Sequence, residues 1–209
     1  GTVDRALHNK GNVRPAVAER IKAVANEYGY TPNRAGLALS RTSHPIRIGV
    51  IIISVQTPFM QIVLDAARRE ARRLAAFSVE VIFRLSPSLD PVEQVSMIEE
   101  LVEQHHINAL AITPLDCLLV ETKINELIDQ RGIPVVMFNT DLPNSHRLCY
   151  VGQENISSGR TVAELMRLVT RESGTVATII TPCMYHSAYR ERLKGFKEEL
   201  LTPDSPLQL

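Results

Sequence analysis

Side chains that could bind a ligand recur at one kind of place, the end of an apolar run. Gln56, Thr57, Pro58 and Phe59 follow the run 46–53; Thr113, Pro114 and Asp116 follow 109–112; Asn139, Thr140 and Asp141 follow 134–138. Open parallel sheets take their ligands beyond the carboxyl ends of the strands, so these three segments are the ones to inspect. Carboxylates and amides around one aromatic ring suit a small polyol, whose paired hydroxyls bond to acidic or basic groups while its apolar face lies on the ring. Each residue also has a plainer reading: Asp116 can cap the helix that follows it, and Phe59 can pack in the core.

The chemistry of covalent catalysis finds little to work with. No GxGxxG follows the first apolar run, and neither GxxxxGK[ST] nor GxSxG occurs, so the dinucleotide, P-loop and nucleophile-elbow patterns are missing and the chain does not read as an enzyme. His105-His106 falls at the end of a helical pattern, where imidazoles commonly serve the last carbonyls. Arg68, Arg69, Arg72 and Arg73 lie on the outer side of a helix whose inner stripe is Val63, Ala66, Ala67 and Leu74, a solvated face or subunit contact rather than a nucleic-acid site. Cys117, Cys149 and Cys183 are more than thirty residues apart, which is neither a disulfide framework nor a metal-ligand spacing. They read as reduced, mostly buried thiols, with no metal and no cofactor implied.

The elements that must position these residues can be read from periodicity. With 209 residues, 44% of them hydrophobic and 22% charged, the chain is an ordinary globular sequence with room for one large or two small domains. Its net charge of zero conceals an asymmetry, since residues 1–47 carry eight basic and three acidic side chains, +5, and the remainder −5. A basic module for a polyanion joined to a body with another task fits that imbalance, and so does a solvated charged face; charge alone does not separate the two. In the module, Val3, Ala6 and Leu7 mark a short helix ending near Asn9-Lys10-Gly11. Val17, Ile21, Val24, Ala25 and Tyr28 form one stripe of a second helix, 15–28, closed by Gly29. Thr31-Pro32 opens a third, 33–40, made marginal by Gly36.

Residues 41–45 read as a linker, after which strand and helix patterns alternate: strand 46–53, helix 58–75, strand 79–83, helix 90–104, strand 109–112, helix 118–130, strand 134–138. Repeated βα units predict a parallel α/β sheet with right-handed crossovers. Asp90-Pro91-Val92-Glu93 is a capping box with proline in place, and Gly132 stops the third of these helices. A second, shorter series starts at Cys149-Tyr150-Val151 and continues with helix 157–169, strand 175–181 and helix 187–200, predicting two lobes. No apolar run approaches the roughly 18 residues of a membrane span, and the first twenty residues carry no signal-peptide pattern, so the expected location is the cytoplasm.

The string Thr2-Val3-Asp4-Arg5-Ala6-Leu7, Gly11-Asn12-Val13, Glu19-Arg20-Ile21 and Tyr28-Gly29-Tyr30-Thr31-Pro32-Asn33-Arg34-Ala35 resembles the DNA-binding region of the lac-repressor (LacI/GalR) family of bacterial regulators. The body resembles that family's effector domain, which is similar to periplasmic sugar-binding proteins (type I). The matching residues are Thr57-Pro58-Phe59, Thr113-Pro114-Leu115-Asp116, Gly132-Ile133-Pro134, Phe138-Asn139-Thr140-Asp141, Tyr150-Val151-Gly152 and Arg192-Leu193-Lys194-Gly195-Phe196.

The resemblance implies a partial helix-turn-helix with hinge helix over 1–45, a first effector lobe over 46–142 and an incomplete second lobe over 143–209. It implies that residues 2–9 enter the major groove of operator DNA with Thr2, Val3 and Arg5 in contact. Arg5 would read a base, because a guanidinium can bond a guanine edge twice. Asn33 and Ala35 would belong to the hinge helix, and Leu39 would wedge into the minor groove. Phe59 would stack on a sugar or sugar-alcohol effector, with Thr57, Asp116, Asn139, Asp141 and Arg192 around it. A homodimer with allosteric coupling between effector and operator is implied, with no membrane partner.

The chain departs from the family at both ends. It begins inside the motif, has Arg14 in place of a Ser or Thr cap, and crosses between lobes once, near 141–148, so it reads as truncated. A transport binding protein of the same body fold is the alternative. It predicts a signal peptide and no basic module.

Overall fold

The β-branched run Ile46–Ile53 forms β1, second in a five-stranded parallel sheet ordered β2-β1-β3-β4-β5. Its partners are β2 (Val79–Ser86), β3 (Ala109–Ile112), β4 (Val135–Phe138) and β5 (Cys149–Val151). Ile48 lies opposite Val81 on one side and Ala109 on the other, a register that puts the ends of β1, β3 and β4 at one edge. The computed structural model describes residues 1–7, 11–28, 45–170, 174–176, 178, 187–201 and 207–208. The chain divides into two compact units, Gly1–His44 with Ala76–Ser78, and Pro45–Ala75 with Val79–Leu209.

In the larger unit the two faces of the sheet are covered unequally. Helices α4 (Pro91–Glu103) and α5 (Leu118–Arg131) lie on the face of Ile51, Leu110, Ile112, Val135 and Met137. Ile98, Leu101, Val120 and Ile124 complete a core there that water does not reach. The opposite face carries α3 (Pro58–Ala75), which buries Met60 and Leu64 against Val50 and Ile52 and turns its arginines outward. Of the local signals, the helix stop acts as read and the capping box only in part, because the Asp90 N–H donates to Ser88 Oγ at 2.9 Å and not to Glu93. The Asp90 carboxylate accepts from the Val92 N–H at 2.9 Å, and Gly132 ends α5 at φ 64°, a left-handed conformation that costs glycine nothing.

Two expectations need correcting. The strand Cys149–Val151 does not open a second lobe; it pairs in parallel with β4 as the fifth strand of the first sheet. Three residues are too few to say which sheet will take them, and the sheet edge left by β4 was the nearer partner. Cys149 is also exposed and Cys117 only partly buried, because β5 is an edge strand and Cys117 stands at the start of α5. Cys183 lies outside the described residues.

Beyond β5, α6 (Asn155–Val169) and α7 (Ser187–Leu200) pack as a pair around Ala163, Met166, Phe196 and Leu200. Their backbones approach so closely that a Cβ on Gly159 would strike the backbone of Arg192, and one on Gly195 the backbone of Ile156. Ion pairs Arg160–Glu198 and Arg167–Glu199, each 2.8 Å, flank the contact. Gly174–Thr175 (β6) pairs with Leu207–Gln208 (β7). Most of the strand expected at 175–181 lies outside the described residues.

The smaller unit is a helix pair, α1 (Thr2–Leu7) and α2 (Pro15–Glu27), joined through Gly11 and Asn12, both at positive φ. Ala6 is buried, but α2 has no buried residue. Arg14 stands at the start of α2 and makes no side-chain cap bond, as its type predicts. Gly29 and the helix expected over 33–40 lie outside the described residues. Among the described residues no helix is long and apolar enough to cross a membrane.

Candidate functional site

The ends of β1, β3 and β4 are held in shape by side chains from their own loops and from neighbouring elements. After β1 the chain turns at Ser54, φ 54°, a conformation uncommon outside glycine and often found where backbone strain serves a site. The Thr57 hydroxyl then donates to Ser54 O at 3.1 Å and accepts from Met60 N at 3.3 Å, capping α3. After β3, the buried amide of Gln94 spans the loop, donating to Thr113 O at 3.0 Å and accepting from Leu115 N at 2.8 Å. Thr113 Oγ1 accepts from Ile53 N at 3.1 Å, tying the ends of β1 and β3.

After β4, Asn139 is also left-handed, at φ 64°. Its N–H donates to Val151 O at 3.1 Å, and its carbonyl accepts from the Tyr150 hydroxyl at the same distance. Burial, reinforced by Asp141 and Glu191, pushes the Tyr150 phenol up from its ordinary value, so it stays a donor at neutral pH. Gln153 O lies 3.3 Å from the same hydroxyl, and Gln153 Oε1 accepts from Arg192 Nη2 at 3.1 Å. A chain of polar contacts thus runs from the end of β4 to α7.

These segments enclose a cleft of about 710 Å³, within the size range of small-molecule sites. Its lining brings together Thr57, Phe59, Asn139 and Arg192, four of the six effector residues expected from sequence. Phe59 is 58% exposed and faces this space, so the core-packing reading of it falls away. Asp116 and Asp141 are not among the lining residues. Asp116 forms an ion pair with Arg190, and Cys117, not Asp116, stands at the helix cap position. Asp141 is held by Arg147, whose Nη2 donates to Oδ2 at 2.7 Å, and also accepts from Leu142 N at 2.9 Å.

Gln153, Tyr189 and Arg190 were missed by the sequence reading. Arg190 and Arg192 are two apart on a helix and so diverge, Arg190 to Asp116 and Arg192 to Gln153 at the cleft.

Away from the cleft, the His105 ring Nε2 lies 2.6 Å from Arg84 Nη2, beside the Arg84–Glu100 ion pair. That ion pair and hydrogen bond hold the Glu100 carboxyl below the usual carboxylate range and Arg84 above its own. Among the described residues no group of three or more His, Cys, Asp or Glu could hold a metal.

In the smaller unit, Thr2, Val3 and Arg5 are all exposed on α1. Asn33, Ala35 and Leu39 lie outside the described residues. Val3, Leu7, Val17, Ile21, Val24 and Tyr28 line an apolar groove of about 850 Å³ between α1 and α2.

Residues 48–206 match the family described as periplasmic binding protein domain, and residues 1–33 match bacterial regulatory proteins of the lacI family. The chain is 28% identical over 208 residues to the HTH-type transcriptional regulator CelR of Thermobifida fusca, covering 96% of this chain and 57% of that one. Among solved structures it is similar to an ABC transporter solute binding protein from Burkholderia graminis in complex with D-arabinose. There the identity is 30%, the TM-score 0.63, and 74% of this chain and 51% of that one are covered. It is also similar to a sugar-binding protein of a sugar ABC transporter from Bacillus halodurans, at 26% identity and TM-score 0.65, with 78% and 54% covered. The chain thus spans just over half the length of these relatives.

Proposed function

This chain belongs to the family of periplasmic binding protein domains, and because its first 33 residues match the lacI family of bacterial regulatory proteins we propose that it is part of an effector-controlled transcription regulator. The module over 1–45 reads operator DNA through α1. The body binds a sugar-like effector in the cleft, and two copies act together on a two-fold site in the cytoplasm. The body divides into a first lobe that includes β5 and a second built on α6 and α7. The protein binds and does not catalyse.

The observation that carries this reading is the convergence of Thr57, Phe59, Asn139 and Arg192 on one cleft, in a chain that also carries the lacI-family segment. The resemblance to transport proteins supports the effector half of the reading, and that segment weighs against transport as the task. Control here means a coupling free energy: an effector that favours one arrangement of the lobes changes operator affinity, and operator changes effector affinity by the same factor.

The test uses the full-length protein and duplexes it selects from a random pool. Arg5→Ala should cost about 1–3 kcal/mol and relax specificity at one base pair per half-site. An equal loss on every sequence would assign Arg5 to phosphate instead. Phe59→Ala should abolish the response to effector while sparing DNA binding. A normal response in that variant would remove the cleft from the mechanism.

A further inference from the structure

The turn after β4 puts a residue of the cleft into an unfavourable backbone conformation, and the neighbouring strand β5 holds it there. Thr140 N donates to Phe138 O at 2.8 Å, closing a three-residue turn around Asn139, whose φ is 64°. With a positive φ at its centre this is the rare, strained hand of such a turn, and it persists only where the surroundings enforce it. Asparagine tolerates the conformation better than most residues but does not impose it.

Both backbone polar groups of Asn139 are bound by β5. Its N–H donates to Val151 O at 3.1 Å, which continues the ladder that pairs Phe138 with Val151. Its carbonyl accepts from the Tyr150 hydroxyl at 3.1 Å, a bond that the ladder does not supply. The same hydroxyl lies 3.3 Å from Gln153 O, in the segment after β5. One phenol thus stands between two segments that line the cleft, Asn139–Thr140 and Gly152–Gln153, and Gln153 in turn accepts from Arg192. Burial holds the phenol protonated at neutral pH, so it remains a donor.

Gly152 makes room for this arrangement. A Cβ there would strike the hydroxyl and ring of Tyr150, so the phenol lies across a position that any side chain would occupy. Tyr150 is not among the lining residues, and its effect on a ligand must pass through those that are. We infer that Tyr150 is a positioning residue of the cleft: its hydroxyl, seated over Gly152, holds Asn139 in the strained turn and ties it to Gln153. The two segments then meet a ligand as one preformed surface, which spares the ligand the cost of ordering them. The inference rests on the sugar-like effector reading above and adds to it a residue that the ligand does not touch.

The test joins a measurement without ligand to one with it. Asn139-Thr140 is the one Asn-Thr pair in the sequence, so carbonyl-13C asparagine with 15N threonine gives its peptide a single NMR peak. Tyr150→Phe keeps the ring and removes the donor; it should move that peak. Gly152→Ala displaces the phenol instead of trimming it, and should move the peak in the same direction with Tyr150 intact. Calorimetry with D-glucose, D-xylose, D-ribose and D-mannitol then compares the wild type with Tyr150→Phe on whichever of the four the wild type binds. The variant should bind roughly two- to tenfold more weakly, the worth of one neutral hydrogen bond. A role in stability alone would lower the urea midpoint and leave the folded-state peak and the affinity at their wild-type values.

An unmoved Asn139-Thr140 peak in either variant would overturn the tether. A moved peak with wild-type affinity would overturn the positioning role and leave the effector reading standing. No binding of any of the four compounds by the wild type would overturn both.

Discussion

Two regions of this molecule carry equally clear amphipathic patterns and end in opposite states. Between the sheet and helices α4 and α5, Ile51, Ile98, Leu101, Ile112 and Met137 lose all contact with water. In α2 the stripe is as regular, yet Val17, Val24 and Tyr28 stay 42%, 46% and 79% exposed around an open groove. A hydrophobic stripe therefore reports that a helix needs a partner, not that it has one. The cleft stands on the finished region. Its strand ends inherit the rigidity of the covered sheet face, which is what a site needs to hold polar groups within fractions of an ångström.

The largest effect should come from the finished side. Leu101→Ala removes a fully buried side chain from the centre of the α4 contact and should cost about 2–5 kcal/mol in urea unfolding. A loss below 1 kcal/mol, on the order of a surface change, would mean that the sheet face is not the closed core it is taken to be.

Next come the contacts that shape the cleft's surroundings. Gly195→Ala places a methyl group against the backbone of Ile156 and should cost about 1–3 kcal/mol by forcing α6 and α7 apart. Hydrogen exchange should show faster opening of both helices while β1 and β3 keep their protection. Gln94→Ala leaves Thr113 O and Leu115 N buried without their side-chain partner, again about 1–3 kcal/mol. Its exchange signature should differ, with loosening at the end of β3 and none in α6. Identical exchange patterns for the two variants would mean that the unit opens all at once.

Much of this was legible before any coordinates. The run 46–53 announced a doubly buried strand, Asp90 and Gly132 marked helix ends, and the strand ends pointed to segments whose Thr57, Phe59 and Asn139 line one cleft. Most of what escaped depended on partners that the local sequence does not announce. Asp116 and Asp141 looked alike from the sequence, acidic groups after strands. Whether each faces a ligand or an arginine is decided by Arg190 and Arg147, one of them 74 residues away. The assignment of β5 failed for the same reason, since the edge of β4 that captured it cannot be read from Cys-Tyr-Val. The left-handed turn at Ser54 had no local signal, because serine gives no hint of positive φ.

The smallest predicted effect probes the unfinished side. Val24→Ala should change stability by no more than about 0.5 kcal/mol, although the same residue type buried in a core would lose several times that. Two terms of similar size oppose each other. Truncation removes methyl groups that α2 leaves 46% exposed, so only part of their transfer free energy is at stake. Alanine in exchange is the better helix former, by roughly half a kcal/mol, because it has no branched side chain to restrict. The measurement is urea unfolding followed at two chain concentrations about tenfold apart, since any partner that binds the folded state makes apparent stability depend on concentration. A loss above about 1.5 kcal/mol that shrinks on dilution would show the groove filled by a second copy of the chain, and the contrast between the two regions would then be one between a core closed within the chain and a core closed by association.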